Sequence, residues 1–426
     1  MIKTVKSIDG FFKEKLNIVK LNYKKQQFDR YNTIVGEGNS ISNLPYLSNT
    51  KAIKQKDSRN FLIDKKNLLL TVDGNSNLAD IHNFLLKHKY YCHYFSSYPL
   101  VTVGGCIANG THGIAPKLGI FNDFVKEIEI YNPNFGLKKL SNKQNKEIFE
   151  LTKSGFGMTG IIVRAKLKIF KLPSTNIKIE NFEFNDLLNC YKFMKQSKQI
   201  YNQNSFTVNY SKKKIFFGRL IMGSFGKKEF VIKKIKNKKI PSLRFGIFKY
   251  FFLKNLIFNL IFLLERLKIF LKKERHINDI LFTSNKRTAY FLLMPDKFIE
   301  YQNIIPEKKV KNYLVDFENI ILKYRPNISL LHLKQFLNDS KNFEFNGKGL
   351  AIAIHIIKDK NLEIFVKKLI ELDFKYKCKL NLYKNGLISS NIAKKFNKNN
   401  YQKFLDKIKK INKNYKFTNN IFKRNI

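Results

Sequence analysis

Hydrophobic and polar positions fall into regular blocks through the first 170 or so residues. Leu68-Leu69-Leu70-Thr71-Val72 is a β-rich run closed by Asp73-Gly74, which predicts a strand and a turn. Leu78, Ile81, Leu85 and Leu86 then recur at helical spacing. Ser76 or Asn77 stands where a side chain can cap that helix by accepting a first-turn N–H. Val125 to Tyr131 alternates apolar and charged residues and stops at Asn132-Pro133-Asn134, the pattern of a half-buried strand. Glu147 to Lys153 reads as a helix, and Ile161 to Leu167 returns to a strand.

Past Pro173 the glycine-containing loops cease and basic and aromatic residues dominate, which places a domain boundary near 172. Within the second part, Phe245 to Leu271 holds two apolar blocks interrupted by Lys254, Glu265, Arg266 and Lys268. Those charges leave too short a run to cross a bilayer, which takes about 20 apolar residues. Two readings stay open for the 245–271 segment: a basic, aromatic helix on a membrane surface, or a core helix of the second domain.

Composition narrows the classes. A chain of 426 residues with 44% hydrophobic content can fold as two domains or one elaborate α/β body. Cys92, Cys106, Cys190 and Cys378 are far apart, with no C-x-x-C pair, so neither a disulfide framework nor a zinc site is expected. The net charge of +48 would raise nucleic acid as a partner if the cations clustered, but lysines are spread through every segment. Lys, Asn, Ile and Phe are abundant and Trp is absent, the mark of AT-rich coding rather than of one basic face. Nucleic acid is therefore not expected as a partner. Anionic membranes and phosphate-bearing substrates remain favoured by the field. The charged N-terminus, Met1-Ile2-Lys3-Thr4-Val5-Lys6, lacks the apolar stretch of a secretory signal, so a cytoplasmic protein is expected.

Three separated glycine-rich segments carry the candidate chemistry. Val101 to Gly113 holds four glycines and His112 among β-branched and small residues, which lets the backbone approach a large ligand. Val35 to Asn43 pairs Gly36 and Gly38 with small polar residues suited to a pyrophosphate. Gly155-Phe156-Gly157-Met158-Thr159-Gly160 matches G-x-G-x-x-G, but a helix precedes it and a strand follows. A dinucleotide fingerprint needs the reverse order, so this is a glycine turn that brings a strand against a ligand.

The order and spacing of these segments resemble the FAD-binding half of the vanillyl-alcohol oxidase (PCMH-type) superfamily. Within it, the chain is most similar to the decaprenylphosphoryl-β-D-ribose 2′-oxidase group. The Thr-Val-Gly-Gly-x-Ile-Ala loop ending in His-Gly is Thr102 to Gly113 here, and a second family segment is Ile148 to Ile162. Tyr301 to Pro306, Leu333 to Phe336 and Leu382 to Asn385 resemble later family segments, whereas 175–290 carries no likeness. The resemblance implies an α+β fold: a two-subdomain PCMH-type FAD-binding domain over 1–172, and a substrate (cap) domain over 173–380 built on an antiparallel sheet with helices. Residues 381–426 would return to the FAD domain.

Carried over by position, Gly36, Glu37, Gly38, Asn39, Ser40 and Ile41 would hold the pyrophosphate and ribityl of FAD. Thr102, Val103, Gly104, Gly105, Asn109, Gly110, Thr111 and His112 would line the other side, with Ser97 and Ile162 near the adenine and Asn381 as a late contact. Lys384 would sit against the isoalloxazine, where a cation stabilises the reduced anionic flavin. His112 would take the substrate hydroxyl proton or bind a phosphate, and Lys334 and Tyr301 would contact phosphate and sugar. Many members attach FAD through a histidine where this chain has Asn39, whose amide cannot attack the flavin methyl, so noncovalent FAD is expected.

After His112-Gly113 the family's Lys-Asn-His is replaced by Ile114-Ala115-Pro116-Lys117, so a phosphate-binding lysine would be lost or replaced by Lys117. Gly110-Thr111-His112-Gly113 is closer to the Gly-Thr-His-Gly of sugar-lactone and alditol oxidases. The resemblance therefore implies an FAD enzyme that oxidises a sugar secondary hydroxyl to a ketone. The first expectation is the 2′-hydroxyl of a polyprenyl-phosphoryl pentose in cell-envelope synthesis, with a nicotinamide-dependent reductase as partner and peripheral contact with the inner face of the plasma membrane. The alternatives are an aldonolactone or alditol oxidase acting on a soluble sugar, and a non-catalytic basic binding protein on the same fold.

Overall fold

The computed structural model describes residues 2–422 apart from 22–27, 29–31, 49, 56–59, 236–238, 283, 340–342 and 414–416. Its α+β architecture rests on three larger sheets. The first holds β1 (Ile2–Lys6), β2 (Lys13–Lys20), β3 (Asn32–Ile34) and β4 (Lys51–Lys54) in the order β1-β2-β4-β3. Here β1 and β2 are antiparallel, while β4 runs parallel to both β2 and β3.

The second sheet is antiparallel throughout, in the order β5-β6-β10-β8-β9. Its strands are β5 (Phe61–Asp64), β6 (Leu69–Asp73), β8 (Val125–Asn132), β9 (Gly136–Ser141) and β10 (Ile161–Lys168). A short pair, β7 (Tyr90–Tyr91) and β11 (Phe170–Lys171), lies beside it. The helices of this half are α1 (Leu78–Lys87), α2 (Val103–Asn109) and α3 (Lys146–Thr152). The helix read from Leu78, Ile81, Leu85 and Leu86 is α1, and those four side chains are buried against Leu70, Val72 and Leu167 of the sheet. Asn77 provides its cap, Oδ1 accepting from Asp80 N–H at 2.8 Å.

One local expectation is corrected. Residues 103–109 are helical rather than a loop. Thr102 caps this helix by accepting from Gly105 N–H at 3.2 Å, and Gly110 ends it at φ +58°. The glycines that suggested an open loop serve the close approach of this helix to its neighbours, with Gly104 N–H donating to Gly74 O at 2.7 Å. At Gly110 a Cβ would lie 2.2 Å from Ser154 Oγ, so the αL cap and the packing both require glycine. The G-x-G-x-x-G segment is the expected turn between α3 and β10.

The third sheet has eight antiparallel strands in the order β15-β12-β14-β13-β17-β18-β16-β19. These are β12 (Asn176–Phe184), β13 (Tyr201–Val208), β14 (Phe216–Phe225), β15 (Glu274–His276), β16 (Phe298–Pro306), β17 (Ile328–Phe336), β18 (Gly349–Ile357) and β19 (Lys379–Leu380). Three amphipathic helices, α4 (Leu187–Gln196), α8 (Val310–Tyr324) and α9 (Leu362–Tyr376), bury their apolar stripes on one face with Ile299, Tyr301, Leu331, Leu333, Ile352 and Ile354. Strand alternation sends Glu300, Gln302, His332, Lys334 and His355 to the opposite face. That face looks toward the glycine-rich segments.

Helices α5 (Phe251–Leu271) and α6 (Ile277–Leu281) pack by β12, and α7 (Ser284–Leu293) reaches β17 and β18 through Tyr290. Phe258 and Phe262 of α5 join Phe248, Phe291, Met294 and Phe298 in a separate apolar cluster. Helices α10 (Ser390–Phe396) and α11 (Lys398–Ile411) lead to a tail that pairs with the first half. Thr418 N–H donates to Asn32 O at 3.0 Å and Asn420 N–H to Leu44 O at 3.0 Å.

Candidate active site

A cavity of about 690 Å³ separates the glycine-rich segments from the polar face of the third sheet. On its first wall are Gly36, Glu37, Gly38, Asn39, Ser40, Ile41, Ser97, Thr102, Gly104, Gly105, Asn109, Thr111, His112 and Ile162. The loop after β3 is pinned from behind, its Ser40 and Ile41 carbonyls accepting from Ile8 and Asp9 N–H at 3.0 and 2.9 Å. Glu37 pairs with Lys54 at 2.7 Å, and Asn39 Nδ2 donates to Leu100 O at 2.8 Å. A Cβ on Gly36 would stand 2.5 Å from Thr102 Oγ1, so glycine is what lets this loop meet the cap of α2.

The second wall is a charged array on three neighbouring strands. Register sets Glu300 of β16 opposite His355 of β18, and Gln302 opposite Ala353. His332 of β17 lies opposite Ala353 from the other side, and Lys334 opposite Ala351. The two alanines leave room between longer polar side chains. Lys384 follows β19 and reaches Glu300 Oε1 at 2.6 Å, while His355 Nε2 stands 3.3 Å from Glu300 Oε2. Tyr290 OH bonds His355 Nδ1 and Ser329 Oγ, each at 2.7 Å. Burial alone would raise the Glu300 carboxyl, but Lys384 and His355 hold it well below the usual carboxylate range.

His112 joins the two walls. Asn381 Nδ2 donates to Gln302 Oε1 at 2.8 Å, which turns the Gln302 amide nitrogen toward His112 Nε2 at 2.9 Å. Gln302 is then the donor, so Nε2 carries the lone pair and the ring proton sits on Nδ1, 3.1 Å from Gly113 O. Lys334 Nζ lies 3.3 Å from Nδ1 and donates to the same carbonyl at 3.2 Å. Burial, reinforced by Lys334 and Lys384, keeps the imidazole neutral, well below its ordinary pKa. His332 is pushed down to about 3, chiefly by burial.

Several sequence-based placements are corrected. Tyr301 does not face the cavity: alternation puts it on the opposite side of β16 from Glu300 and Gln302, and its hydroxyl donates to Asp373 Oδ2 at 2.6 Å. Asn381 is buried behind Gln302 and orients that amide instead of lining the cavity. Val103 and Gly110 lie at the packed ends of α2, where Val103 is fully buried and Gly110 is the cap. Lys117 turns away and donates to the carbonyl of Gln199, so it does not replace the missing phosphate lysine.

Sequence reading passed over Glu300, Gln302, His332 and His355. Glu300, Gln302 and His332 had a signal, since a polar residue recurring at every second position of an apolar strand marks a polar face. Phe298-Ile299-Glu300-Tyr301-Gln302 and Leu331-His332-Leu333-Lys334 carry that pattern, and His355 is the one polar residue of Ile352-Ala353-Ile354-His355-Ile356.

The wall also holds unsatisfied acceptors. Gln55 Oε1 and Asn202 Oδ1 line the cavity and are buried without a hydrogen-bond partner among the described residues. Such groups are costly unless a ligand or water completes them. With the glycine loop on one side and cations on the other, the cavity suits an elongated ligand carrying both phosphates and a planar polar ring.

Comparison with known proteins agrees with this reading. Residues 19–139 match the family described as FAD binding domain. The chain is 30% identical over 150 residues to D-arabinono-1,4-lactone oxidase of Candida glabrata, covering 34% of this chain and 28% of that protein. It is 28% identical over 135 residues to L-gulonolactone oxidase of Bos taurus, covering 32% and 31%. To L-galactono-1,4-lactone dehydrogenase 2, mitochondrial, of Oryza sativa subsp. japonica it is 26% identical over 106 residues, covering 25% and 18%. The chain thus spans less than a third of the length of each of these relatives. FAD is the cofactor of the matched domain, and the residues of the first wall fit it.

Proposed function

We propose that the protein is an FAD-dependent oxidoreductase acting on a CH–OH group of a sugar lactone. The observation that carries this reading is the polar array of Glu300, Lys384, Lys334 and His355 facing the glycine-rich wall across one cavity. The three similar proteins are by name enzymes of sugar lactones. They support the soluble-sugar alternative ahead of a polyprenyl-phosphoryl pentose, and Lys117, facing away, removes the residue that would have favoured a phosphate.

When bound, FAD would supply a two-electron acceptor for the hydride of the oxidised carbon, the hydroxyl proton leaving to solvent. Gly36 to Ile41, Thr102, Gly104 and Gly105 would hold it. The rest of the chemistry belongs to the second wall. Lys334 and Lys384 would place positive charge where a substrate hydroxyl becomes an alkoxide-like oxygen, a preorganised field. Glu300 fixes Lys384 in place and stays ionised beside it. His112 is a neutral hydrogen-bonding group whose acceptor nitrogen is engaged by Gln302, so it orients that amide rather than removing the proton, while Lys334 is held by the Gly113 carbonyl.

The test is to purify the protein, denature it, measure FAD in the supernatant, and separately mix native protein with aldonolactones under anaerobic conditions. FAD in the supernatant and bleaching of its absorbance by a lactone are expected. Folded protein with no flavin, or flavin that no lactone or polyol reduces, would overturn the assignment. Bleaching only by a lipid-linked pentose would return the first expectation.

A further inference from the structure

Helix α5 has two unlike faces. Lys254, Phe258, Phe262 and Ile269 are buried, and Lys254 Nζ is held by Asn327 Oδ1 and Ile328 O, each at 2.7 Å. This ties the helix to the start of β17. On the other side Phe252, Leu256, Leu260, Leu263, Leu267 and Phe270 are exposed, the two phenylalanines at 77% and 80%. At 3.6 residues per turn these positions form one unbroken stripe. Arg266 and Lys268, both exposed, fall at its two edges. Lys249, Lys272 and Lys273, also exposed, stand at its two ends.

We infer that α5 docks the protein on the surface of an anionic lipid bilayer, lying in the interface with its apolar stripe among the acyl chains. A large exposed apolar stripe is costly in water and marks an interaction surface. Its cationic border matches lipid phosphates, and the net charge of +48 adds a long-range attraction to an anionic surface. The same charge opposes a second copy of this chain on the stripe, since two basic borders would meet. No described helix is long and apolar enough to cross a membrane, so α5 rests on the bilayer. Its inner face supplies Phe258, Phe262 and Glu265 to the cavity wall, so docking brings that wall to the lipid surface.

The absence of Trp makes the inference directly testable. A Leu260→Trp variant of the full chain carries a single reporter on the stripe. With vesicles of phosphatidylcholine and phosphatidylglycerol its emission should shift to the blue and be quenched by brominated acyl chains. A second variant, Phe252→Ser with Leu256→Ser and Leu267→Ser, should partition roughly a hundredfold more weakly while keeping the circular dichroism of the parent. Unshifted emission in the presence of vesicles overturns the inference. So does equal binding by the triple-serine variant, which would show adsorption by general basic charge, and so does a parent dimer in light scattering that becomes monomeric on substitution and ignores vesicles. None of these readouts depends on lactone turnover, so they leave the enzymatic proposal separate.

Discussion

Lys384 Nζ stands 2.6 Å from Glu300 Oε1 in the wall of the cavity, with both side chains mostly shielded from water. The contact ties the segment after β19 to the middle of β16. A cation placed by a buried carboxylate keeps its position without the entropy of a mobile surface lysine. Glu300→Gln is expected to slow flavin reduction by roughly a hundredfold with FAD content unchanged, because the carboxylate that positions the Lys384 cation is lost while the volume stays. Anaerobic stopped-flow absorbance is the measurement, and an unaltered rate would remove the role given to this pair.

The loop after β3 depends on close approach at Gly36. A Cβ there would meet Thr102 Oγ1 at 2.5 Å, so Gly36→Ala must displace either the loop or the cap of α2. The expected result is folded protein with FAD affinity weakened about tenfold, equivalent to about 1.4 kcal/mol. Gly347→Ala is the control, since its Cβ would sit an ordinary 3.6 Å from Ile304. Flavin absorbance per protein after gel filtration distinguishes the two variants. Equal retention by both would refute the argument.

His112 is neutral because burial and two nearby lysines depress it well below 6.5. Its titration should therefore leave no inflection near pH 6.5 in the rate of flavin reduction. His112→Ala should lower that rate about tenfold through the freed Gln302 amide, with the pH profile unchanged in shape. A limb near pH 6.5 that vanishes in the variant would instead identify His112 as the base.

Asp373 lies under the opposite face, where Tyr301, Tyr313 and Asn303 all donate to it. Burial pushes its carboxyl up from 3.8 to about 6 despite those bonds. Between these values the native state binds a proton that the unfolded chain does not, so unfolding free energy falls as pH rises through the window. The cost is absent below pH 3.8, fully present above about 6, and about 3 kcal/mol in size. Asp9 is raised to about 6 in the same way, so the comparison must be made against Asp373→Asn. Chemical denaturation across pH 4 to 7 should show a stability difference between parent and variant that changes by about 3 kcal/mol. A constant difference would show that Asp373 does not titrate in that window.

The local pattern of the chain decided much of the first half. The period of Leu78, Ile81, Leu85 and Leu86, the cap at Asn77 and the alternation over Val125 to Tyr131 are short-range properties, so α1 and β8 could be read directly. The glycine segments likewise marked a ligand wall, since close backbone approach leaves its trace in composition. The second wall was different. Lys384 was reached by resemblance, but its partner Glu300 is 84 positions away, and Gln302 meets His112 across 190. Such pairs are created by strand register and by the meeting of two sheets, which no local period encodes. The same reason explains Tyr301: one position along β16 moves a side chain from the cavity to the buried network at Asp373. For α5 the sequence left a membrane-surface helix and a core helix open, and packing against β17 buries one face and leaves the other exposed.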